Sequence, residues 1–291
     1  MAYIPYRTII LILIFMFSAL CGTVYLNFAF PLINLLLLLI FAGGIGLFAL
    51  IVKLLFNAQS ERILCFTQFF VLIVLGSIVC QMLLTLGASL AKPLIDETLI
   101  RTDQWVGFDW IRYFQWLSHH PTLAKFLDLA YDFMLPEILL VLLLLSLHCH
   151  YTRAEQLVNA YLIALGITTI IATLWPAMAA YVHYNINPAD YGLAPPAARI
   201  HEVEILALRN QELRHFPVIM KGIVTFPSFH AMTAMLLIWA AWPLRYYRIF
   251  SLVANGAMIV SVLVSGGHYL VDILACFIIT PLSLYLAKRS F

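Results

Sequence analysis

Two short elements in the last quarter of the chain combine residue types that suit phosphoryl transfer. The first is a Ser-x-His element formed by Ser228 and His230, and the second contains His268 and Asp272. Residues four apart on a helix share one face, so the Asp272 carboxylate can accept a hydrogen bond from one ring nitrogen of His268. The other ring nitrogen is then left as a nucleophile. The spacing therefore indicates an oriented histidine that attacks phosphorus.

A second histidine, His230, is a candidate acid and base for the same reaction. A histidine that attacks phosphorus forms a phosphohistidine, while a second histidine protonates the departing oxygen and later activates the acceptor. Metal ligation by His230, His268 and Asp272 is an alternative, since histidine and aspartate bind zinc. The phosphate chemistry needs no such ion, and we predict neither a metal nor a cofactor.

The segment before His230 contains features that favour anion binding. Pro227 is expected to introduce a helix, where free backbone N–H groups and the positive end of the dipole attract phosphate. Ser228 is predicted to contact that phosphate. The basic residues nearest this element in the sequence are Arg209, Arg214 and Lys221. We take Arg209 and Lys221 as the predicted phosphate ligands, because a planar guanidinium or an ammonium suits a phosphate.

The elements that position these residues are transmembrane helices. Of the 291 residues, 64% are hydrophobic and 10% are charged, against about half and about a quarter in soluble domains. A helix needs about 20 apolar residues to cross a bilayer. Runs of this length predict an all-α polytopic membrane bundle of about eight transmembrane helices, near 8–27, 31–56, 63–90, 123–147, 155–180, 229–246, 249–266 and 268–287.

The charge pattern predicts the orientation of this bundle. Basic residues of the short loops fall on one side, which makes that side and both termini cytoplasmic by the positive-inside rule. Two long segments, about 91–122 and 181–228, then face outward, and the two crossings between His230 and His268 return both histidines to that outer face. A net charge of +2 with no basic run argues against nucleic-acid binding. We expect a bacterial inner membrane, with the site facing the periplasm.

The two outer segments and the fourth span contain further polar and aromatic candidates. The aromatic residues of the first segment and an amphipathic stretch of the second, 202–213, predict ordered structure that is either a lid over the site or an interfacial anchor. In the fourth span, Asp128 and Asp132 share a face, and Tyr131 and Glu137 lie nearby. Asp132 and Glu137 are predicted to support the site as second-layer residues; an interhelical hydrogen-bond cluster is the alternative.

The two motifs together resemble those of a known family. Phe-Pro-Ser-Phe-His, ending at His230, and His-Tyr-x-x-Asp, from His268 to Asp272, are similar to motifs of the type 2 phosphatidic acid phosphatase superfamily, and more narrowly of its inositol phosphorylceramide synthase and sphingomyelin synthase-like branch. The resemblance implies that His268 is the nucleophile, Asp272 orients it, His230 is the acid and base, and Ser228 contacts phosphate. It covers roughly 60–287 and implies a six-helix core, so we divide the chain into a two-helix extension, 1–60, and a catalytic domain, 61–291.

Two departures from the family pattern bear on the reaction. The Lys-x6-Arg-Pro motif and the Ser-Arg pair ahead of the final histidine, typical of the phosphatases, are not intact here, and the synthase-like branch also tends to lack them. We expect a lipid phosphatase that acts on a membrane lipid phosphate. A phospho-headgroup transferase with the same three residues is the alternative, and a lipid transporter or flippase is a third hypothesis. The lipid and the oligomeric state stay open.

Overall fold

The structure, a computed structural model, describes residues 6–29, 60–191, 197–216 and 224–289, with a few isolated positions between 30 and 59. Twelve α-helices lie in these residues: α1 (Tyr6–Tyr25), α2 (Ser60–Ser89), α3 (Asp96–Trp105), α4 (Trp110–Ser118), α5 (Pro121–Asp132), α6 (Met134–Leu147), α7 (Tyr151–Leu174), α8 (Ala180–His183), α9 (Ala197–Arg209), α10 (Phe229–Ala241), α11 (Arg248–Ser261) and α12 (Leu270–Arg289). The predicted all-α fold is confirmed.

Long apolar helices fit an integral membrane protein. Four of the described helices, α1, α2, α7 and α12, are long and apolar enough to cross a bilayer by themselves. The pair α5 and α6 passes the same test as one broken span, and α10 and α11 are shorter apolar helices. The described helices overlap seven of the eight predicted spans in sequence, but α10 and α11, with 13 and 14 residues, are shorter than a full span. The predicted span 31–56 falls outside the continuously described residues.

The predicted span 123–147 is not one straight helix. It bends by 48° between α5 and α6, and Phe133 is both the C-cap of α5 and the N-cap of α6. Pro136 gives the physical reason. A proline ring clashes with the carbonyl four residues earlier and supplies no N–H, so the helix cannot continue unbent from Asp132, although the first turn of a new helix tolerates the proline.

Helix α7 lies at the centre of the bundle and packs on α2, α10 and α12. Glycines make the α2 contact close. A Cβ atom at Gly76 would lie 2.2 Å from the Leu162 side chain, and one at Gly87 would lie 2.3 Å from Thr173. Small residues at such crossings allow the helix backbones to approach, which is how helices gain packing energy inside a membrane.

Helix α1 packs on the same frame. Ile12 belongs to the main hydrophobic core with residues of α2 and α7, and the Thr8 hydroxyl donates a hydrogen bond to Asn159 Oδ1 at 2.6 Å. The division of the chain at residue 60 stays a prediction.

The first of the two long segments, 91–122, is ordered, as the sequence predicts. Trp110 and Phe114 of α4 stack at 5.4 Å, and Tyr181 of α8 meets the Trp110 ring edge-on at 4.9 Å. Trp105 and Trp116 are exposed to 87% and 51%. Exposed tryptophans beside buried aromatics suit helices that lie in the headgroup region.

Candidate active site

A cavity of about 250 Å³ contains both histidines of the sequence motifs. It lies among α2, α5, α7, α9 and α10 and the loop before α12. Its described lining residues are Ser77, Gln81, Leu84, Tyr131, Met134, Tyr161, Leu165, Met178, His201, Ile205, Val224, Thr225, Phe229, His230, Gly266 and His268. The expectation that the spans bring His230 and His268 together is met.

His268 and Asp272 form the predicted pair. Their Nδ1 and Oδ2 atoms are 3.0 Å apart, and both residues are buried. His268 precedes α12, however, so the two residues are not on one helical face. Asp272 is the third residue of α12 and reaches back, accepting the N–H of Tyr269 at 3.0 Å, as the acidic residue of a capping box does. The contact arises from a helix start, and it leaves Nε2 of His268 for chemistry.

Glycines before His268 make room for its ring. A Cβ atom at Gly266 would lie 2.5 Å from Cδ2 and 3.1 Å from Nε2 of His268, so no other residue fits there without moving the imidazole. Gly267 has a φ of +71°, a conformation that side chains rarely adopt. The Gly-Gly pair therefore sets both the backbone turn and the space around the candidate nucleophile.

Helix α3 holds the start of α12. Asp103 accepts the N–H of Leu270 at 2.9 Å and that of Val271 at 2.8 Å. A carboxylate is favoured at a helix N-terminus, where the first N–H groups have no partner within the helix. Burial raises the pKa of Asp103 above its ordinary value, while the two N–H groups oppose this shift. Trp110 of α4 adds a bond from Nε1 to the His268 carbonyl at 3.1 Å.

A second buried acid, Asp96, holds the neighbouring loop. Its carboxylate accepts the N–H groups of Met178 and Ala179 at 3.0 and 3.1 Å and the hydroxyl of Tyr269 at 2.9 Å. The N–H of Ala180 in turn donates to the Gly267 carbonyl at 2.9 Å. Both segments around the His268 turn are thus fixed by carboxylates from α3.

His230 lies in the first turn of α10. Ser228 is the N-cap of this helix, and its Oγ accepts the Ala231 N–H at 3.4 Å. Ser228 is fully buried and does not line the cavity, so the structure places it as a cap, while its predicted phosphate contact stays a prediction. The Tyr131 ring stacks on His230 with centroids 4.0 Å apart and planes 15° apart. That stacking restricts the tilt of the His230 ring.

The predicted basic ligands lie apart from the main cavity or outside the described residues. Arg209, at the end of α9, lines a small adjoining cavity and donates from Nη2 to the Lys92 carbonyl at 2.8 Å. Its Nη1 is buried without a described partner, and burial lowers its pKa. Arg214 is exposed and bonds Gln211. Lys221 lies outside the described residues.

The polar residues of the broken span divide between two places. Asp128 Oδ1 accepts the Ser265 hydroxyl at 2.5 Å, beside the His268 turn. Glu137 is buried and bonds Ser251 and Asn255 of α11 at 2.8 and 2.9 Å, which matches the interhelical alternative. Asp132 is exposed. Tyr131, which lines the cavity, and Asp128, which bonds Ser265 of the His268 turn, are therefore the polar residues of α5 that lie beside the catalytic motifs.

Asp96, Asp103 and Trp110 were not among the predicted site residues. The sequence contained one signal that points to the two acids. They are two helical turns apart on α3, on the face that also buries Leu99 and Ile100, and an acid at a buried position usually has a fixed partner. Nothing in the sequence gives the identity of that partner.

Comparison with known protein families identifies the family of this chain. A family model described as the PAP2 superfamily matches residues 97–286, which include α3 to α12 and both motifs. Neither the curated proteins nor the solved structures compared contain a match for the chain.

Proposed function

Because this chain belongs to the PAP2 superfamily, whose members are phosphoesterases and phosphotransferases, we propose that it is an integral membrane phosphatase that hydrolyses a lipid phosphate through a phosphohistidine at His268. The observation that carries this proposal is the cavity in which His230 meets a histidine oriented by Asp272 at 3.0 Å. That arrangement supplies a nucleophile and an acid and base in one place.

The proposed reaction has two steps. Nε2 of His268 attacks phosphorus, the bond to the lipid oxygen breaks, and that oxygen takes a proton from His230. Water then gives a proton to His230 while its oxygen attacks the phosphohistidine, and the N–P bond breaks to release phosphate. Asp272 stabilises the positive ring of His268 during both steps and does not itself transfer a proton.

The start of α10 is the proposed anion site for the phosphate. Its first N–H groups have no carbonyl within the helix to bond, and the helix dipole adds positive potential there. The start of α12 cannot serve in the same way, because Asp103 already accepts from Leu270 and Val271. Lys221 and Arg209 remain the proposed basic ligands, the latter through a short movement from the adjoining cavity.

The distribution of basic side chains supports an outward-facing site. Arg153 and Lys288 both lie against the Trp239 ring, at 3.5 and 5.3 Å, so basic residues of α7 and α12 gather beside the far end of α10. Helix α12 has 20 residues, which places this basic end about 30 Å from the His268 turn. With the basic end in the cytoplasm, the termini are cytoplasmic and the site faces the periplasm of a bacterial inner membrane.

Headgroup transfer is the second candidate function. The motifs resemble the inositol phosphorylceramide synthase and sphingomyelin synthase-like branch, and the cavity wall includes neutral polar groups from α2 and α7 that could hold an alcohol. In that case the alcohol replaces water in the second step, and His230 removes its proton. The three residues, and the proposed phosphohistidine, are common to both candidates.

Purified full-length protein tests the proposal with a His268→Ala variant. We expect release of phosphate from lipid phosphates, or formation of a new phospholipid, to fall at least about a thousandfold. His148→Ala is the matched control, because His148 is exposed at the end of α6 and bonds only its own helix. Unchanged turnover in His268→Ala would contradict the proposed function, whereas a wild-type protein that turns over none of these lipids would favour a transporter.

A further inference from the structure

Part of the cavity wall is polar but uncharged. It consists of Ser77 and Gln81 of α2 and Tyr161 of α7, which we call the neutral wall. Ser77 Oγ and the Tyr161 hydroxyl are 3.1 Å apart and bond each other. Gln81 lies one helical turn further along the same face of α2 as Ser77. The two proposed steps of hydrolysis make no use of these three side chains.

Gln81 is the residue of the neutral wall that needs a partner. Its Nε2 is buried, and no described group lies within hydrogen-bond distance of it. A buried amide donor without an acceptor loses the bonds it would make in water. A ligand oxygen in the cavity would satisfy this donor.

The surroundings define the chemistry of that oxygen. Leu84, Leu165 and Met178 lie around the neutral wall, and no Asp, Glu, Lys or Arg is among the described residues that line the cavity. The three side chains of the neutral wall offer a charged ligand group no opposite charge, whereas a carbonyl or a hydroxyl matches an amide donor. The neutral wall therefore suits an uncharged oxygen on an otherwise apolar molecule.

The neutral wall is close to the catalytic histidines. The Tyr161 ring meets Phe229 edge-on at 5.0 Å, and Phe229 directly precedes His230. Gln81 lies eight residues before the end of α2 at Ser89, a depth of about 12 Å along the helix. A lipid with its phosphate at His230 and His268 would place the groups next to that phosphate against this wall.

We propose that Gln81 donates a hydrogen bond to an uncharged oxygen of a lipid bound in the cavity, either a carbonyl or a hydroxyl. The inference rests on the proposed function and adds a specificity-determining contact to it. Two sources supply the same chemistry. One is an acyl carbonyl of the lipid phosphate itself, and the other is the hydroxyl of a second lipid that accepts the phosphoryl group.

The first arm of the test compares two substrates with three proteins. The substrates are a diacyl glycerol phosphate and hexadecyl phosphate, which has no oxygen besides its phosphate. The proteins are the wild type, Gln81→Leu, and Gln68→Leu, the last being the same substitution on α2 outside the cavity. If the substrate is the source, Gln81→Leu lowers kcat/KM about three- to tenfold for the diacyl phosphate only, and Gln68→Leu leaves both values unchanged.

The second arm adds ceramide in mixed micelles as a hydroxyl acceptor and measures new phospholipid and free phosphate together. If the acceptor is the source, Gln81→Leu lowers the ratio of transfer to hydrolysis about three- to tenfold and leaves hydrolysis of both phosphates unchanged. The inference is overturned if Gln81→Leu changes neither kcat/KM for the diacyl phosphate nor the ratio of transfer to hydrolysis. It is also overturned if the variant slows hydrolysis of both phosphates equally and leaves that ratio unchanged. Failure of the proposed function is a separate result, since it requires turnover to survive in His268→Ala.

Discussion

The carboxylate of Asp103 accepts the backbone N–H of Leu270 at 2.9 Å across 167 residues of sequence. This bond joins α3 to the first residue of α12, two positions after His268. The segment 91–122 is therefore more than an interfacial anchor. It fixes the start of the helix from which Asp272 orients the proposed nucleophile.

Asp103→Ala tests this connection. The substitution leaves two N–H groups at the start of α12 without an acceptor, and hydrogen bonds to a charged group contribute about 1.5–3 kcal/mol. We expect kcat to fall about 10- to 100-fold as the His268 turn loosens, with KM changed less. Asp109→Ala is the control, because Asp109 caps only its own helix by accepting the Arg112 N–H. Equal losses in both variants would show that α3 has no specific effect on His268.

Gly266→Ala tests the space around the His268 ring. The added methyl group would lie 2.5 Å from Cδ2, so the imidazole must leave its place opposite Asp272. We expect turnover to fall at least about a hundredfold, measured with the protein at wild-type abundance in the membrane. Gly256→Ala on α11 meets nothing within 4 Å and should remain as active as the wild type. A fully active Gly266→Ala variant would contradict the observed position of the ring.

Asp272→Asn tests whether the charge of the Asp272 carboxylate is needed at His268, since the variant side chain has nearly the same size. The amide retains the size of the carboxylate but cannot stabilise a positive His268 ring. Its N–H group can also point at Nδ1 of His268, in place of the oxygen that accepts the Nδ1–H bond. We expect kcat to fall at least about a hundredfold while the protein stays folded. Asp132→Asn makes the same change at an exposed acid one turn after Asp128. It should stay within about twofold of the wild type, and a large loss there would restore Asp132 to the site.

Dialysis against a chelator tests the prediction that no metal takes part. The proposed steps assign the nucleophile and the proton transfers to histidines and the anion site to the start of α10, so turnover should be unchanged after treatment with EDTA. Added Zn²⁺ or Mg²⁺ should then give no recovery. Loss of activity on chelation, with recovery on adding one metal, would favour the alternative in which His230, His268 and Asp272 bind an ion.

The features that the sequence predicted follow from local rules. Apolar length predicted the long helices α1, α2, α7 and α12, and His230 and His268 line one cavity, as the order of the predicted spans led us to expect. The start of α10 after Pro227 was also predictable, since proline and serine are typical of that position.

The remaining features depend on contacts between residues distant in sequence. A count of apolar residues does not detect the break before Pro136, because one proline hardly changes the mean hydropathy of the segment. The partners of Asp96 and Asp103 could not be predicted, because only the fold brings Met178 and Leu270 to them. Glu137 appeared to be near the site by its span, but the angle of α6 turns it toward Asn255. Helix direction and rotation, which decide these contacts, are set by packing.

The most direct test of the account is to trap the covalent intermediate. A ³²P-labelled lipid phosphate is mixed with wild type, His230→Ala and His268→Ala, quenched within milliseconds in alkali, and each protein is analysed for phosphohistidine. We predict label at His268 in the wild type and none in His268→Ala. A ³²P-labelled aryl phosphate, whose leaving group needs no proton, is also given to His230→Ala, where we predict that the label at His268 persists longer. Turnover by the wild type without label at His268, or label that survives in His268→Ala, would contradict the account.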